Sequence, residues 1–221
     1  MRIPRLRFLL SVVVVAVAFG AAGPVTNFAA SAASPHEMGD EAEIAALDLE
    51  AQGKLDDAIA KHREAIKFVP NSKAFKENAA RTLNAAAVTK HDAKDDKTAI
   101  AYLEEALTLV PNFKQAKDNL ALIKAGSLNL EGVALLKAND YTGAAAKFTE
   151  VLSLQPDNKA AKINLDVAQA QLLFKDDPAG AAAKLQDAVT LDPSRQFLKD
   201  KLAEAQAAAD AKAAADAKTK K

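Results

Sequence analysis

From about Asp40 onward, apolar residues recur at spacings of three and four, and polar turns containing a proline interrupt them at Pro70, Pro111, Pro156 and Pro193. That period belongs to helices with one buried face. The first such pattern carries Ile44, Leu47 and Leu49 among alanines and breaks at Gly53. It restarts at Leu55 and runs through Ile59, Ile66 and Val69 to Pro70-Asn71. Glycine adopts a left-handed turn without steric cost, and proline cannot continue a helix, so the unit reads as a helical hairpin. The residues before it, 34–39 (SPHEMG), read as a linker.

Alignment on the four prolines exposes a repeat. Twelve residues before each stands a small residue, Ala58, Ala99, Ala144 or Ala181, and five before it stand Ala65, Ala106, Val151 and Ala188. Two before it are Phe68, Leu109, Leu154 and Leu191. Eight after it come Asn78, Asn119, Asn164 and Lys201, followed by Ala79, Leu120, Leu165 and Leu202. The small columns mark where the two helices of a hairpin cross, with room for little more than a β-carbon. The Phe/Leu column is expected to fill the gap to the next repeat, at about 1.5–3 kcal/mol for each fully buried side chain.

The clearest copy is Ala125–Asn158, where Leu128, Gly132, Tyr141, Ala144, Phe148, Val151 and Pro156 stand in order. That order and spacing resemble the tetratricopeptide repeat. Val151 replaces the family's usual alanine, and Glu131 stands where a leucine precedes the glycine. The resemblance covers about residues 39–202. It implies an all-α fold: a right-handed superhelix of about four helical hairpins with a C-terminal capping helix. The array is expected over 40–202, with repeats at about 40–72, 73–112, 113–158 and 159–194, and with 203–221 as a frayed Ala/Lys-rich tail.

The departures are informative. Successive prolines lie 41, 45 and 37 residues apart, against a family period of about 34. In the second repeat, the polar stretch Lys90–Lys97 is expected to lengthen the turn. In the third, Phe113, Ala116, Leu120, Ile123, Ser127, Leu130 and Ala134 step by three and four without a break. One long helix from about Phe113 to Lys137 is favoured, because Gly126 inside a helix costs only about 1 kcal/mol. The other reading makes Lys114–Ala125 a cap on a first pair of repeats, with Gly126 opening a second pair.

Composition refines the picture. Alanine, the strongest helix former, dominates the chain. There is no cysteine, which excludes disulfides, thiolate metal sites and a cysteine nucleophile. Arg2, Arg5 and Arg7 precede the apolar run Phe8–Ala22 and a small-residue stretch that ends at Ala33. This is the order of a secretory signal peptide over residues 1–33; an uncleaved membrane anchor is the rival, although the run is short for a span. Removing those three arginines leaves 26 basic against 29 acidic residues. Such balance argues against nucleic-acid binding. The expected location is therefore the periplasm or the exterior, with an N-terminal membrane anchor as the alternative.

Candidate chemistry is sparse. His36, His62 and His91 are scattered, and His62 falls in the column of Leu103, Phe148 and Leu185, which reads as a partly buried packing position. There is no Gly-x-Ser-x-Gly elbow and no phosphate-binding glycine loop. The pairs Asp56-Asp57, Asp95-Asp96 and Asp176-Asp177 fall at helix starts, where they cap free N–H groups and favour the helix dipole. No catalytic residue, cofactor or metal is expected.

The resemblance implies instead a concave face lined by the first helix of each repeat, with Asn78, Arg81, Asn84, Asn119, Asn129, Val133 and Asn164 as candidate contacts for a protein or peptide partner. Glu43, Glu50 and Glu77 near Arg81 suggest a mixed peptide site there. The asparagines have a second reading, as groups that satisfy backbone and neighbouring-helix hydrogen bonds. The function expected is an exported interaction scaffold without catalysis; the alternative is a structural, self-associating component of an envelope assembly.

Overall fold

The computed structural model describes residues 33–219, so the signal segment expected over 1–33 lies outside the described residues apart from Ala33. Among the described residues there are nine helices and no strand: α1 (Pro35–Ala51), α2 (Leu55–Phe68), α3 (Lys73–Asp92), α4 (Asp96–Leu109), α5 (Lys114–Lys137), α6 (Tyr141–Leu154), α7 (Lys159–Leu173), α8 (Pro178–Leu191) and α9 (Gln196–Thr219). They pair as antiparallel hairpins, α1 with α2, α3 with α4, α5 with α6 and α7 with α8, and α9 covers α8. The result is an all-α solenoid of tetratricopeptide-like hairpins.

The hairpins share one contact. Ala58, Ala99, Ala144 and Ala181 are fully buried, as are Ala65, Ala106, Val151 and Ala188. A β-carbon placed on Gly132 would lie 2.7 Å from Cε1 and 2.8 Å from Cζ of Phe148. Phe148 is itself fully buried, so α5 passes α6 at a distance only glycine permits. The filler column differs from expectation. Phe68, Leu109 and Leu191 are half-buried and Leu154 is exposed. The buried large side chains are six residues earlier, at Leu103, Phe148 and Leu185. Those positions face the partner helix, whereas the later ones sit at the fraying end beside the turn.

All four second helices have 14 residues, whereas the first helices have 17, 20, 24 and 15. The additional residues are therefore inserted in the first helices. Lys90–Lys97 does not form a long turn: α3 continues to Asp92, and only Ala93, Lys94 and Asp95 separate it from α4. Helix α5 runs unbroken through Gly126, with Phe113 as its N-cap, so the long-helix reading holds and the cap-plus-new-repeat reading does not. At about 1.5 Å per residue it spans roughly 36 Å. Its first half carries Ala116 and Ile123 into a core shared with α3 and α4. Its second half packs Ala125 and Val133 against α6 and α7.

The turns repeat as well. Gly53, Lys94 and Asn139 hold φ of +74°, +67° and +60°, the left-handed step that ends α1, α3 and α5, whereas α7 ends on Phe174 with φ of -51°. Glycine takes that conformation freely, and lysine does not. The next residue but one or two begins the second helix, and Asp95, Asp140 and Asp177 each accept a backbone N–H with the side chain, from Thr98, Gly143 and Gly180. Asp56 departs from that role. The N-cap of α2 is Lys54, without a side-chain bond, and the Asp56 carboxylate accepts from Lys90 Nζ at 2.7 Å and Tyr102 Oη at 2.9 Å. The Lys90 and Tyr102 bonds hold its carboxyl below the usual range.

Both ends of the array are more ordered than expected. Residues 34–39 are not a linker. Ser34 Oγ accepts from Glu37 N at 3.2 Å and Glu37 Oε2 from Ser34 N at 2.7 Å, a capping box that starts α1 at Pro35 rather than near Asp40. Gly39 is buried against Val69 and Phe75. At the other end, the stretch expected to fray is helical to Thr219. Leu198, Leu202 and Ala205 cap the last core, and Lys212 Nζ donates to the Asp176 carbonyl. Beyond Ala209 the side chains are exposed through Lys218, so alanine propensity supports that helix beside the Lys212 contact.

Gly132→Ala and Ala144→Leu each overpack the α5–α6 contact and should cost about 1–3 kcal/mol. Urea denaturation measures the loss, and variants that melt like the parent would refute the close approach.

Candidate functional site

The first helices α3, α5 and α7 touch one another directly, while α4, α6 and α8 have no comparable packing on each other. The array therefore bends with its first helices on the inner side. On α3 that side carries Arg81, Ala85 and Val88, one helical face at spacings of four and three. On α5 it carries Asn119, Leu122, Gly126 and Asn129. Val88, Leu122, Leu47 of α1 and Phe197 of α9 remain exposed there.

The candidate residues fall into distinct settings. Asn78 donates from Nδ2 to Glu43 Oε1, and its Oδ1 accepts from Arg81. Asn119 Nδ2 donates to Asn84 Oδ1 at 2.8 Å, tying α5 to α3. These three asparagines thus serve neighbouring helices, whatever else they contact. Val133 packs against the Ala144–Phe148–Ala168 core rather than standing free. Asn129 Oδ1 is buried and accepts no hydrogen bond from another described residue. Asn164 lines a hollow in the C-terminal half.

The mixed site expected around Arg81 is a different object. His62, in a column otherwise filled by Leu103, Phe148 and Leu185, is not a partly buried packing residue but a fully buried polar one. Its Nδ1 lies 2.8 Å from Glu43 Oε2 and its Nε2 lies 2.9 Å from Glu50 Oε1. Thr82 Oγ1 donates to Glu50 and lies 3.1 Å from the same ring nitrogen. Each ring nitrogen thus faces a carboxylate, and Glu50 is shared between the ring and Thr82. The node joins α1, α2 and α3 in the one hairpin interface that lacks a large apolar plug. Glu43 is therefore buried structure rather than groove surface, and Glu77 pairs loosely with Lys73 at 3.5 Å. Glu50 alone of the three reaches the hollow of about 390 Å³ beside Leu47, Leu55, Arg81 and Ala85.

A second hollow, of about 360 Å³, opens between α5, α7 and α9, lined in part by Lys137, Asn164, Arg195, Phe197 and Lys201. Of these only Asn164 is among the expected contacts. Lys201 occupies the same place after its proline as Asn78, Asn119 and Asn164, so column position could have found it. Phe197 could not be assigned a face without the start of α9. The signal for the buried node was equally present: a histidine in an apolar column demands partners, and Glu43 and Glu50 are seven residues apart on one helical face.

No family model matches this chain, and no curated protein matches it. Solved structures do. The chain is similar to the TPR domain of P58(IPK) at 16% identity, over 76% of this chain and 45% of that one, with a TM-score of 0.36. It is similar to the TPR2AB domain of yeast Sti1 in complex with pHSP90 at 20% identity, over 80% of this chain and 86% of that one, with a TM-score of 0.33. A tetratricopeptide repeat protein from Parabacteroides merdae matches at 13% identity, over 82% of this chain and 78% of that one, with a TM-score of 0.34. The match spans less than half the length of the first of these.

His62→Leu removes one hydrogen-bond partner from each of Glu43 and Glu50, which keep Asn78 and Thr82, and should lower stability by about 1–3 kcal/mol. Adding Glu43→Leu should restore more than half of that loss. Thermal melts of the single and double variants decide it, and a harmless single variant would show that the node carries no weight.

Proposed function

We propose that this chain is an interaction scaffold that holds a protein or peptide partner against the inner face of its first helices, without chemistry of its own. The observation that carries the reading is the set of exposed apolar side chains on that face, Leu47, Val88, Leu122 and Phe197, beside two hollows. Large exposed apolar groups interleaved with polar ones, in recesses that exclude water, are where binding energy concentrates.

The pulldown test uses the full chain recovered from cell envelopes. Arg81→Glu combined with Asn119→Ala should reduce capture of the partner, with the fold intact by circular dichroism. Undiminished capture by that variant, and by one altered at Leu122 and Phe197, would remove the inner face from contention. A second reading, self-association through the chain's end, draws support from the exposed run of α9 beyond Ala209. Light scattering over a hundredfold range of concentration separates the two readings, and a constant monomer mass counts against assembly.

We also propose export, on the order of Arg2, Arg5 and Arg7, the apolar run and the small residues up to Ala33. Cleavage there would leave Ser34, the N-cap of α1, as the first residue. N-terminal sequencing of the protein recovered from its host should begin at Ala33 or Ser34, and an intact Met1 would overturn cleavage.

A further inference from the structure

We propose that the hollow between α5, α7 and α9 is the docking site for an acidic peptide segment with one aromatic or large aliphatic anchor. The proposal rests on the inner face being the binding face and specifies where on it, and for what chemistry.

Three features of the hollow point to this ligand. Its floor is apolar: Ile163, Val167 and Leu198 are buried beneath it, and Phe197 stands over half exposed, at 58%. Every charged side chain lining it is a cation, namely Lys137, Arg195 and Lys201. Lys137 has no ion-pair partner among the described residues. Arg195 and Lys201 pair with Asp192 at 3.0 Å and Glu204 at 2.7 Å, each three residues away and outside the lining. Such short-range surface pairs are weak, and a carboxylate brought into the recess can share both cations. The first hollow differs, because there Glu50 offsets Arg81.

The third feature separates a peptide from a simple anion or a lipid surface. Neutral amides, Asn164 and Gln171, stand within the same recess, and each offers a donor and an acceptor. An extended main chain requires both kinds of group, whereas phosphate or a lipid headgroup requires donors alone. The cations also ring a recess with an apolar floor instead of covering a flat face. An anchor side chain against Phe197, carboxylates at Lys137, Arg195 and Lys201, and main-chain groups at the amides use every element of the site.

The test is fluorescence anisotropy on the purified full chain. The probe is a labelled eleven-residue peptide of Glu and Asp around one central Phe. Three controls are the same peptide with Lys for each acid, the same peptide with Ala for Phe, and vesicles of phosphatidylglycerol. The acidic Phe peptide should bind at least tenfold tighter than either peptide control and weaken as salt rises. Lys137→Glu and Phe197→Ala should each reduce its affinity about tenfold or more, while Lys61→Glu, at a lysine of α2 paired with Glu64, leaves it within twofold. Both side chains are exposed, and circular dichroism checks the fold; Lys201→Glu replaces either variant that fails to fold. Equal binding of acidic and basic peptides, or vesicle binding that survives Phe197→Ala with no peptide preference, overturns the proposal. In the envelope pulldown, loss of the partner with Arg81→Glu but not with Lys137→Glu or Phe197→Ala refutes this site and leaves inner-face binding standing. Capture untouched by all three refutes the inner-face reading itself.

Discussion

Each hairpin depends on two helices approaching until only a β-carbon, or at Gly132 only a hydrogen, separates them. Fully buried Ala58, Ala99, Ala144 and Ala181 recur at that contact in all four units. Close approach lets short 14-residue second helices bury enough surface to be stable, although isolated helices of that length are marginal in water. It also fixes the rotation of each second helix, which directs Leu103, Phe148 and Leu185 into the facing helix. The price of the arrangement is intolerance of volume at the crossing.

With the second helices held constant, all freedom of length passes to the first helices. α5 uses the most of it, and its two halves belong to different apolar clusters. It is the strut by which the N-terminal and C-terminal cores become one array. It is also the wall on which the inner face is longest, with Leu122 and Gly126 exposed along it.

The first interface is built on a different principle. His62 between Glu43 and Glu50, with Thr82 and Asn78 completing the ring of partners, replaces an apolar plug by a hydrogen-bonded polar node. Buried polar networks contribute little net stability compared with packed hydrocarbon, but they tolerate few alternative arrangements. The node therefore orients α1 on α3 and, through Glu50, sets the polar edge of the first hollow. The C-terminal hollow has no such structural carboxylate, and its cations remain turned toward solvent.

Helix identity, hairpin pairing and the small-residue crossings were legible in the chain itself, because three-and-four periodicity, turn residues and column identity are local properties repeated four times. The unbroken α5 was legible for the same reason, since its apolar stripe never changes phase. The tertiary structure alone decided which polar side chains face inward. Asn78, Asn84 and Asn119 look alike in sequence but are committed to neighbouring helices, because each partner lies more than thirty residues away. The C-terminal hollow needed it most: Lys137 ends one helix, Arg195 precedes another and Phe197 opens it, and only packing of α9 on α8 brings the three together. Periodicity reports what a helix turns toward its own core, and a recess shared by three helices has no period to read.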